Sequence, residues 1–324
     1  MNHHKKSLQW AINYLSSDKS MCVLRHRVVV ETSYSIVYQI ESSQDILYLK
    51  QVPKALFLEP YTIKFLHESQ CTHIPEVIAE NKQLNSFITT SCGDISLRHL
   101  FQGEINMAML KRGIDAYTRI QRQLENKIES LFKLGIPDWR LHQLPAKYSE
   151  LINNTDLLKN DGLTSKEIEQ LHQLVPTCIE LCKKVVQYQI PETINHCDIH
   201  ENNMLRDNKT GAINIIDWGE CVVTHPFLSL SGCLWNLTYF NKIKESDADY
   251  CKLQSQCISP WKNQYDETTL LEILEITNQL LGIFAALSYE RLYQMTQNES
   301  YTVQQEHPGS IAGCLRTFLK SAIS

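Results

Sequence analysis

Two short stretches in the second half of the chain decide the fold: HCDIHENNML at residues 196–205 and IIDWG at residues 215–219. A loop that presents Asp198 and turns back within five residues can place Asn203 beside the same metal ion, and a short hairpin can bring Asp217 to its other side. Phosphoryl transfer requires a carboxylate that orients the attacking hydroxyl and receives its proton, and oxygen ligands for Mg²⁺ beside the phosphates. These residue types suit that chemistry, with Asp198 in the first role and the other two as metal ligands.

The composition of the 324-residue chain is that of a folded protein, with 43% hydrophobic and 21% charged residues. The formal net charge of −5 argues against nucleic acid as a partner, because proteins that neutralise nucleic-acid phosphates favour basic surfaces. The eleven cysteines are an odd number without the spacing of a disulfide framework, so we expect reduced thiols and a cytoplasmic location. We expect no membrane association, because no window approaches the roughly 20 apolar residues that span a bilayer.

Residues 1–92 predict a small antiparallel-sheet lobe with one helix, preceded by an amphipathic first helix at the N-terminus. The stretch RVVVETSYSIVYQIESSQDILYLK at residues 27–50 alternates blocks of β-branched and aromatic residues with polar turns, which predicts consecutive strands. A helix is expected from about Leu58 to Glu68. Two more strands are predicted in PEVIAE at residues 75–80 and NSFITTS at residues 85–91.

Residues 93–324 predict a larger, mostly helical lobe, because the apolar pattern changes to helical spacing after Gly93. Apolar residues recur at this spacing from Leu110 to Leu131, which predicts one long helix that ends at a cap on Gly135. Residues 196–219 interrupt the helices with a β-rich segment, which contains the catalytic loop and the metal-binding hairpin.

A second helix is predicted to begin at Thr164, where Thr-Ser-Lys-Glu forms a capping box that ends at Glu167. Its apolar face continues to Val186, with a kink or a break expected at Pro176. Two or three more helices are expected in residues 227–324.

Three further features accompany the loop and the hairpin. Lys50 ends the strand-like run ILYLK, Glu59 precedes PYTIKFLHES, and residues 87–97 link the two predicted lobes. Together these features resemble the aminoglycoside phosphotransferase and choline kinase superfamily, over roughly residues 25–320. The resemblance implies an α+β, two-lobed, protein-kinase-like fold. It also implies an enzyme that transfers the γ-phosphoryl group of ATP, with Mg²⁺ and with GTP as an alternative nucleotide, to a hydroxyl of a small molecule.

The resemblance assigns roles to individual residues of this chain. Asp198 would be the catalytic base, Asn203 and Asp217 would hold Mg²⁺, and His196 would support the loop. The implied nucleotide-binding residues are Lys50, Glu59, Ser33, Ser35, Thr90 and Ser91.

The acceptor side is less well defined by the sequence. Residues beside the catalytic loop, beside the metal hairpin and in the helical lobe are candidates for acceptor contact: His200, Glu201, Glu220, Trp235, Tyr239 and Trp261. Aromatic residues at helical spacing are usually core residues, and a glutamate near a strand end is often solvated. Either interpretation suits these positions.

One feature departs from the pattern of phosphate-binding turns. The first glycine of the chain is Gly93, so residues 31–35, which would cover the phosphates, contain none. Backbone amides approach phosphate oxygens most closely where there is no Cβ atom. Hydroxyl groups of Ser33 and Ser35 are expected to act as donors instead.

This departure motivates a second hypothesis, a weak or inactive pseudokinase that serves as a ligand- or protein-binding module. The complete set of catalytic and metal positions argues against it. A third hypothesis is a kinase of protein hydroxyls. The third is less favoured, because no long activation segment separates Asp217 from the following helices.

Overall fold

The computed structural model describes residues 3–102 and 104–322, and a five-stranded sheet forms most of the first lobe. The strands are β1 (Val23–Glu31), β2 (Ile36–Ser42), β3 (Ile46–Gln51), β4 (Val77–Asn81) and β5 (Ser86–Thr90). They lie in the order β1-β2-β3-β5-β4, and every neighbouring pair is antiparallel. The predicted strands of this lobe are therefore confirmed.

Two helices accompany this sheet, as predicted: the amphipathic first helix α1 (His3–Ser17), and α2 (Glu59–Glu68). Helix α1 covers one face, where Leu15 packs with Leu47 and Leu49 in an apolar cluster. Side chains alternate between the faces of a strand. Lys50 therefore points to the opposite face, toward α2.

The second lobe is mostly helical, and the predicted two-lobed α+β fold is confirmed. Its helices are α3 (Leu97–Phe101), α4 (Met107–Leu124), α5 (Ile128–Leu134), α6 (Leu144–Asn153), α7 (Thr155–Asn160), α8 (Ser165–Gln173), α9 (Val175–Gln187), α10 (Pro226–Asn241), α11 (Ala248–Ile258), α12 (Glu267–Thr296), α13 (Val303–Glu306) and α14 (Ser310–Ser321). The stretch after residue 226 thus contains five helices within the described chain, and the prediction of two or three was too low.

The predicted long helix is wrong, because the chain breaks it into α4 and α5. The break falls at Asn126, a residue with low helix propensity. There Glu125 accepts hydrogen bonds from Arg122 (2.7 Å) and from the indole of Trp261 (3.2 Å). The predicted cap at Gly135 is confirmed at the end of α5, with a left-handed φ of 99°.

The predicted capping box at Thr164 is confirmed at the start of α8. The break expected near Pro176 is also confirmed, because Leu174 separates α8 from α9 and the proline lies in the first turn of α9. Proline is tolerated there, since the first turn has no intrahelical partner for its missing N–H.

Helix α12 is long and apolar enough, by length and composition, to cross a membrane, contrary to the sequence-based expectation. However, 67% of its most apolar window is buried inside the protein, and α12 packs against α10 and α14. That burial is typical of the core helix of a folded lobe.

Five short strands position the loops between the lobes: β6 (Ile95–Ser96), β7 (Thr193–Asn195), β8 (Met204–Arg206), β9 (Ile213–Ile215) and β10 (Val222–Thr224). Strands β6, β8 and β9 form one small sheet, and β7 pairs with β10. Gly93 lies between β5 and β6, and a Cβ atom there would lie 2.4 Å from Leu205 Cβ. The close passage of the interlobe segment over β8 therefore requires this glycine.

Candidate active site

The proposed catalytic residues come from both lobes. The catalytic loop, residues 196–203, connects β7 to β8, and Asp217 follows β9 after one residue. Lys50 lies on β3, and Glu59 is the first residue of α2. The fold thus brings together residues that are far apart in the sequence.

Lys50 joins the two lobes through two carboxylates. Its Nζ lies 2.6 Å from Glu59 Oε2 and forms a second ion pair with Asp217. Burial disfavours the charged lysine, but the negative charges of Asp217 and Glu59 outweigh burial and raise its pKa. Burial likewise opposes ionisation of Asp217, but the charge of Lys50 holds the pKa of Asp217 below its ordinary value. Lys50 is therefore held between Glu59 of its own lobe and Asp217 of the second lobe.

Asp217 has a left-handed backbone with φ of 68°. Such a conformation is uncommon outside glycine, though aspartate tolerates it better than most residues, and it often marks functional sites. The chain then enters a 3₁₀ turn at Trp218–Glu220, where Gly219 passes close to Glu59. This sharp change of direction points the aspartate toward the interlobe cleft.

Asp198 is held by two donors on the same oxygen. His200 Nε2 and Asn203 Nδ2 each lie 3.1 Å from Asp198 Oδ2. The backbone N–H of Asn202 donates to His200 Nδ1 at 3.0 Å, so the proton of a neutral imidazole lies on Nε2 and is donated to Asp198. Asp198 Oδ1 has no donor among the described residues, and the side chain is 51% exposed. That oxygen is free to accept the proton of an acceptor hydroxyl.

His196 connects the catalytic loop to the metal hairpin. Its Nδ1 accepts the backbone N–H of Asp198 at 3.1 Å, and its Nε2 donates to the Ile216 carbonyl at 2.9 Å. Burial lowers the pKa of His196, so the ring stays neutral and keeps both bonds. This position is consistent with the predicted supporting role.

Asn203 and Asp217 offer oxygen atoms suited to Mg²⁺. The Asn203 amide group donates to Asp198, which leaves its Oδ1 without a protein donor in the described chain. Asp217 uses Oδ1 for Lys50 and keeps Oδ2 available. No cluster of three His, Cys, Asp or Glu side chains suited to a metal exists among the described residues. Mg²⁺ commonly binds through one or two protein oxygens plus substrate phosphates, so the residues fit this ion.

The segment that links the lobes contains the implied nucleotide-binding residues Thr90 and Ser91, but their backbone amides are already engaged. The Thr90 N–H donates to the Glu76 carbonyl (2.9 Å) and the Ser91 N–H to the Ile46 carbonyl (3.2 Å). Neither amide is therefore free, and a nucleotide contact at these two residues would use their carbonyl oxygens or side-chain hydroxyls.

The turn between β1 and β2 contains Ser33 and Ser35, whose hydroxyl groups were expected to act as phosphate donors. Ser33 Oγ is buried without a hydrogen-bond partner in the described structure, and the Ser33 N–H donates to Glu306 Oε2 at 2.8 Å. Ser35 lies at the end of the turn, where its carbonyl accepts the Thr32 N–H (2.9 Å). Hydrogen bonds within the protein therefore fix the backbone of both serines.

Two contacts around Glu201 were not predicted from the sequence. Arg98 Nε and Asn241 Nδ2 each donate to Glu201 Oε1 at 3.0 Å, and Arg98 Nη2 lies 3.5 Å from His200 Nδ1. Glu201 is buried, so its predicted contact with the acceptor is corrected to an anchor for the loop. Arg98 precedes Glu201 by 103 residues, and no local pattern links them.

Glu220 lies half-buried on the cleft side of the metal hairpin. Burial, followed by the negative charges of Asp198 and Asp217, raises the pKa of Glu220 to about 8. Arg291 donates to the Glu220 carbonyl at 3.1 Å rather than to the carboxyl group. The cleft therefore contains three neighbouring carboxyl groups, and a cationic ligand beside Glu220 would favour its ionised form.

The three predicted aromatic contacts separate into two classes. Trp235 and Tyr239 are 42% and 65% exposed and stack with centroids 5.0 Å apart. Trp261 is fully buried against Phe227, and its indole donates to Glu125. The prediction that Trp261 contacts the acceptor is therefore wrong, because its side chain belongs to the core.

Comparison with known proteins agrees with this kinase-like site. The model of the Phosphotransferase enzyme family matches residues 63–258, more than half of the chain. The chain therefore belongs to this family of phosphotransferase enzymes. No curated protein sequence gives a significant match.

Solved structures share the fold at low sequence identity. Choline kinase LicA from Streptococcus pneumoniae has a TM-score of 0.62 at 13% identity, covering 98% of this chain and 100% of that one. A choline/ethanolamine kinase family protein from Mesorhizobium loti has a TM-score of 0.60 at 13% identity, with 97% and 98% covered. The GDP and kanamycin complex of APH(2")-IIia has a TM-score of 0.60 at 12% identity, with 98% and 99% covered. At these identities the likeness shows the shared fold.

Proposed function

We propose that the enzyme transfers the γ-phosphoryl group of ATP, bound with Mg²⁺, to a hydroxyl of a small cationic acceptor in the cytoplasm. The main support is the convergence of Lys50, Glu59 and Asp217 in one ion-pair cluster beside a carboxylate with one open oxygen. The free cysteines of the described structure support a reducing compartment.

The proposed reaction assigns one task to each group. The acceptor oxygen forms a bond to the γ-phosphorus while the bond between that phosphorus and the bridging oxygen of ADP breaks. Asp198 Oδ1 receives the hydroxyl proton, and Lys50 holds the phosphates in place. Mg²⁺, held by Asn203 and Asp217, would supply positive charge that offsets the phosphate charge.

The acceptor class follows from the charge of the cleft. Asp198 and Asp217 carry negative charge in the cleft, and a bound cation would help to ionise Glu220 beside them. Exposed Trp235 and Tyr239 lie on a helix of the same lobe. Structural neighbours include a choline kinase and a kanamycin complex, and both of these named ligands are cationic alcohols. An amino alcohol or amino sugar is therefore the proposed acceptor class.

A thermal-shift titration of the purified protein tests this function, because a ligand that binds only the folded state raises Tm. We expect ATP to raise Tm only with Mg²⁺, and Asp217→Asn to abolish the shift. Asp45→Asn, an exposed control on the β2–β3 turn, should keep it. Choline, ethanolamine and kanamycin would then be assayed for ADP release, with GTP as an alternative donor.

The alternative function is a pseudokinase that acts as a ligand- or protein-binding module. The engagement of the Ser33 N–H by Glu306 favours it. It predicts no Mg²⁺-dependent nucleotide shift in the wild-type protein, so that result would overturn the kinase proposal.

A further inference from the structure

Three backbone amides of the β1–β2 turn, those of residues 32–34, are already satisfied within the protein. The Thr32 N–H donates to the Ser35 carbonyl (2.9 Å), the Ser33 N–H to Glu306 Oε2 (2.8 Å) and the Tyr34 N–H to Thr32 Oγ1 (3.3 Å). A glycine-rich turn would offer such amides to phosphate oxygens. This turn offers mainly hydroxyl groups instead, since only the Ser35 N–H has no hydrogen-bond acceptor among the described residues.

Tyr34 is the residue at the tip of this turn, and its side chain faces the cleft. The half-buried ring packs against the apolar cluster that contains the core of the second lobe, not against the cluster beneath α1. Burial, and then the negative charges of Glu220, Asp217 and Asp198, raise the pKa of Tyr34 well above its ordinary value. The phenol is therefore a protonated donor, and it lies in the field of the catalytic carboxylates.

We propose that the Tyr34 hydroxyl donates a hydrogen bond to the γ-phosphoryl group of the bound nucleotide, in place of the amides of a glycine-rich turn. This inference rests on the proposed ATP-dependent function. It names a substrate-contacting residue on the first lobe, opposite Asp198.

The chemistry of the transfer suits a neutral donor at this place. Charge spreads over the three equatorial oxygens of the transferred group, and a donor fixed in advance stabilises that charge without reorganising. The phenol keeps its proton throughout, because the hydroxyl proton of the acceptor goes to Asp198. Tyr34 therefore stabilises the transferring group without taking part in the proton balance.

Glu306 fixes the position of the turn relative to the second lobe. Its carboxylate reaches from α13 to the Ser33 N–H, one residue before Tyr34. The contact joins the tip of the turn to the lobe that contains Asp198. We therefore expect Glu306 to act as a positioning residue for Tyr34.

The decisive experiment compares Tyr34→Phe with wild type for binding of Mg²⁺ complexes of ADP and of a non-hydrolysable ATP analogue, and for kcat. Loss of a hydrogen bond to a charged group changes a rate or binding constant by about tenfold to hundredfold. We expect Tyr34→Phe to lower kcat and the affinity for the ATP analogue by at least about tenfold. ADP affinity should not change, because ADP lacks the γ-phosphate. Tyr14→Phe, whose hydroxyl contacts the Ile78 carbonyl, is the matched control and should behave as wild type.

Three results would overturn the proposal. Wild-type values for Tyr34→Phe would show that the hydroxyl does not contact the nucleotide. Equal losses of affinity for ADP and for the ATP analogue would show that Tyr34 only maintains the conformation of the turn. If wild type itself bound neither nucleotide, the proposed function would fail, and this inference with it; the first two results overturn this inference alone.

Glu306→Ala supplies a second measurement on a protein that retains Tyr34. Under the proposal, loosening the turn lowers kcat and leaves ADP affinity unchanged. Tighter ADP binding would instead show that Glu306 masks an amide that binds phosphate, and it would contradict the replacement of amides by Tyr34.

Discussion

The catalytic loop and the β1–β2 turn face the same phosphates in the proposed reaction, but they are built in opposite ways. In the loop, His200 and Asn203 both donate to Asp198 Oδ2. Asp198 Oδ1 has no donor among the described residues, so it remains available to the acceptor hydroxyl. In the turn, internal bonds use the amides of residues 32–34 and leave the side-chain hydroxyls and the Ser35 N–H as the remaining donors. The two sides of one site therefore present their functional groups in different ways.

The reason is the chemistry required on each side. Proton acceptance and Mg²⁺ binding need particular oxygen atoms, so Asp198, Asn203 and Asp217 have no simple substitutes. A phosphate oxygen, in contrast, accepts a hydrogen bond from any well-placed N–H or O–H. A turn without glycine can therefore serve a kinase if its side chains supply the donors.

The largest expected effect comes from Asp198→Asn. The amide cannot accept the hydroxyl proton, so kcat should fall by about 10²- to 10⁴-fold, while nucleotide affinity stays near wild type. A coupled assay of ADP release measures kcat, and Asp45→Asn is the control with an unchanged rate. A variant that retained more than about a tenth of the wild-type kcat would contradict the assignment of the base.

The second expected effect is on stability, from Lys50→Met. Removal of the lysine leaves Glu59 and Asp217 as neighbouring carboxylates without their cation, and breaking a buried ion pair costs roughly 3 kcal/mol. Urea unfolding measures the loss, and the double variant with Asp217→Asn should recover part of it. Ser33→Ala should change stability little. A loss of stability equal to that of Lys50→Met would contradict the difference between the ion-pair cluster and the β1–β2 turn.

The sequence predicted the residues that lie on short, contiguous segments. Asp198, Asn203 and Asp217 occupy two neighbouring loops, so spacing alone limits where their side chains can go. The capping box at Thr164 was predictable for the same reason, since both partners lie within one helical turn. Lys50 was assigned by resemblance, because a strand-end lysine has no local signal of function.

The remaining features depend on contacts between distant segments. Arg98 reaches Glu201 across 103 residues, and the burial of Trp261 follows from the packing of several helices. The direction of Tyr34 depends on a turn whose Ser33 amide binds a carboxylate 273 residues away. Periodicity and spacing describe one segment at a time, so they do not predict such contacts.

A third, smaller effect concerns the contacts that orient Asp198. Arg98→Met removes a donor from buried Glu201 and from the neighbourhood of His200, so kcat should fall about tenfold with an unchanged KM for ATP. His200→Ala should have a similar effect. His200→Gln should recover activity, because its amide can donate to Asp198 as the imidazole Nε2 does. Failure of glutamine to exceed alanine would contradict the role of this hydrogen bond, and a raised KM would place the effect on the nucleotide instead.

The smallest expected effect is the pH dependence of stability caused by Glu220, which lies near both Asp198 of the catalytic loop and Tyr34 of the β1–β2 turn. Its folded-state pKa of about 8 lies above the ordinary value of 4.5, so the folded protein binds this proton more tightly than the unfolded chain does. The resulting stability is present at acidic pH and is lost as pH rises toward and through 8. Between pH 6 and 9, without nucleotide or Mg²⁺, Tm should therefore fall less for Glu220→Gln than for wild type. Glu169→Gln, an exposed control on α8, should follow the wild-type curve, and parallel curves for all three proteins would show that Glu220 does not retain its proton in the cleft.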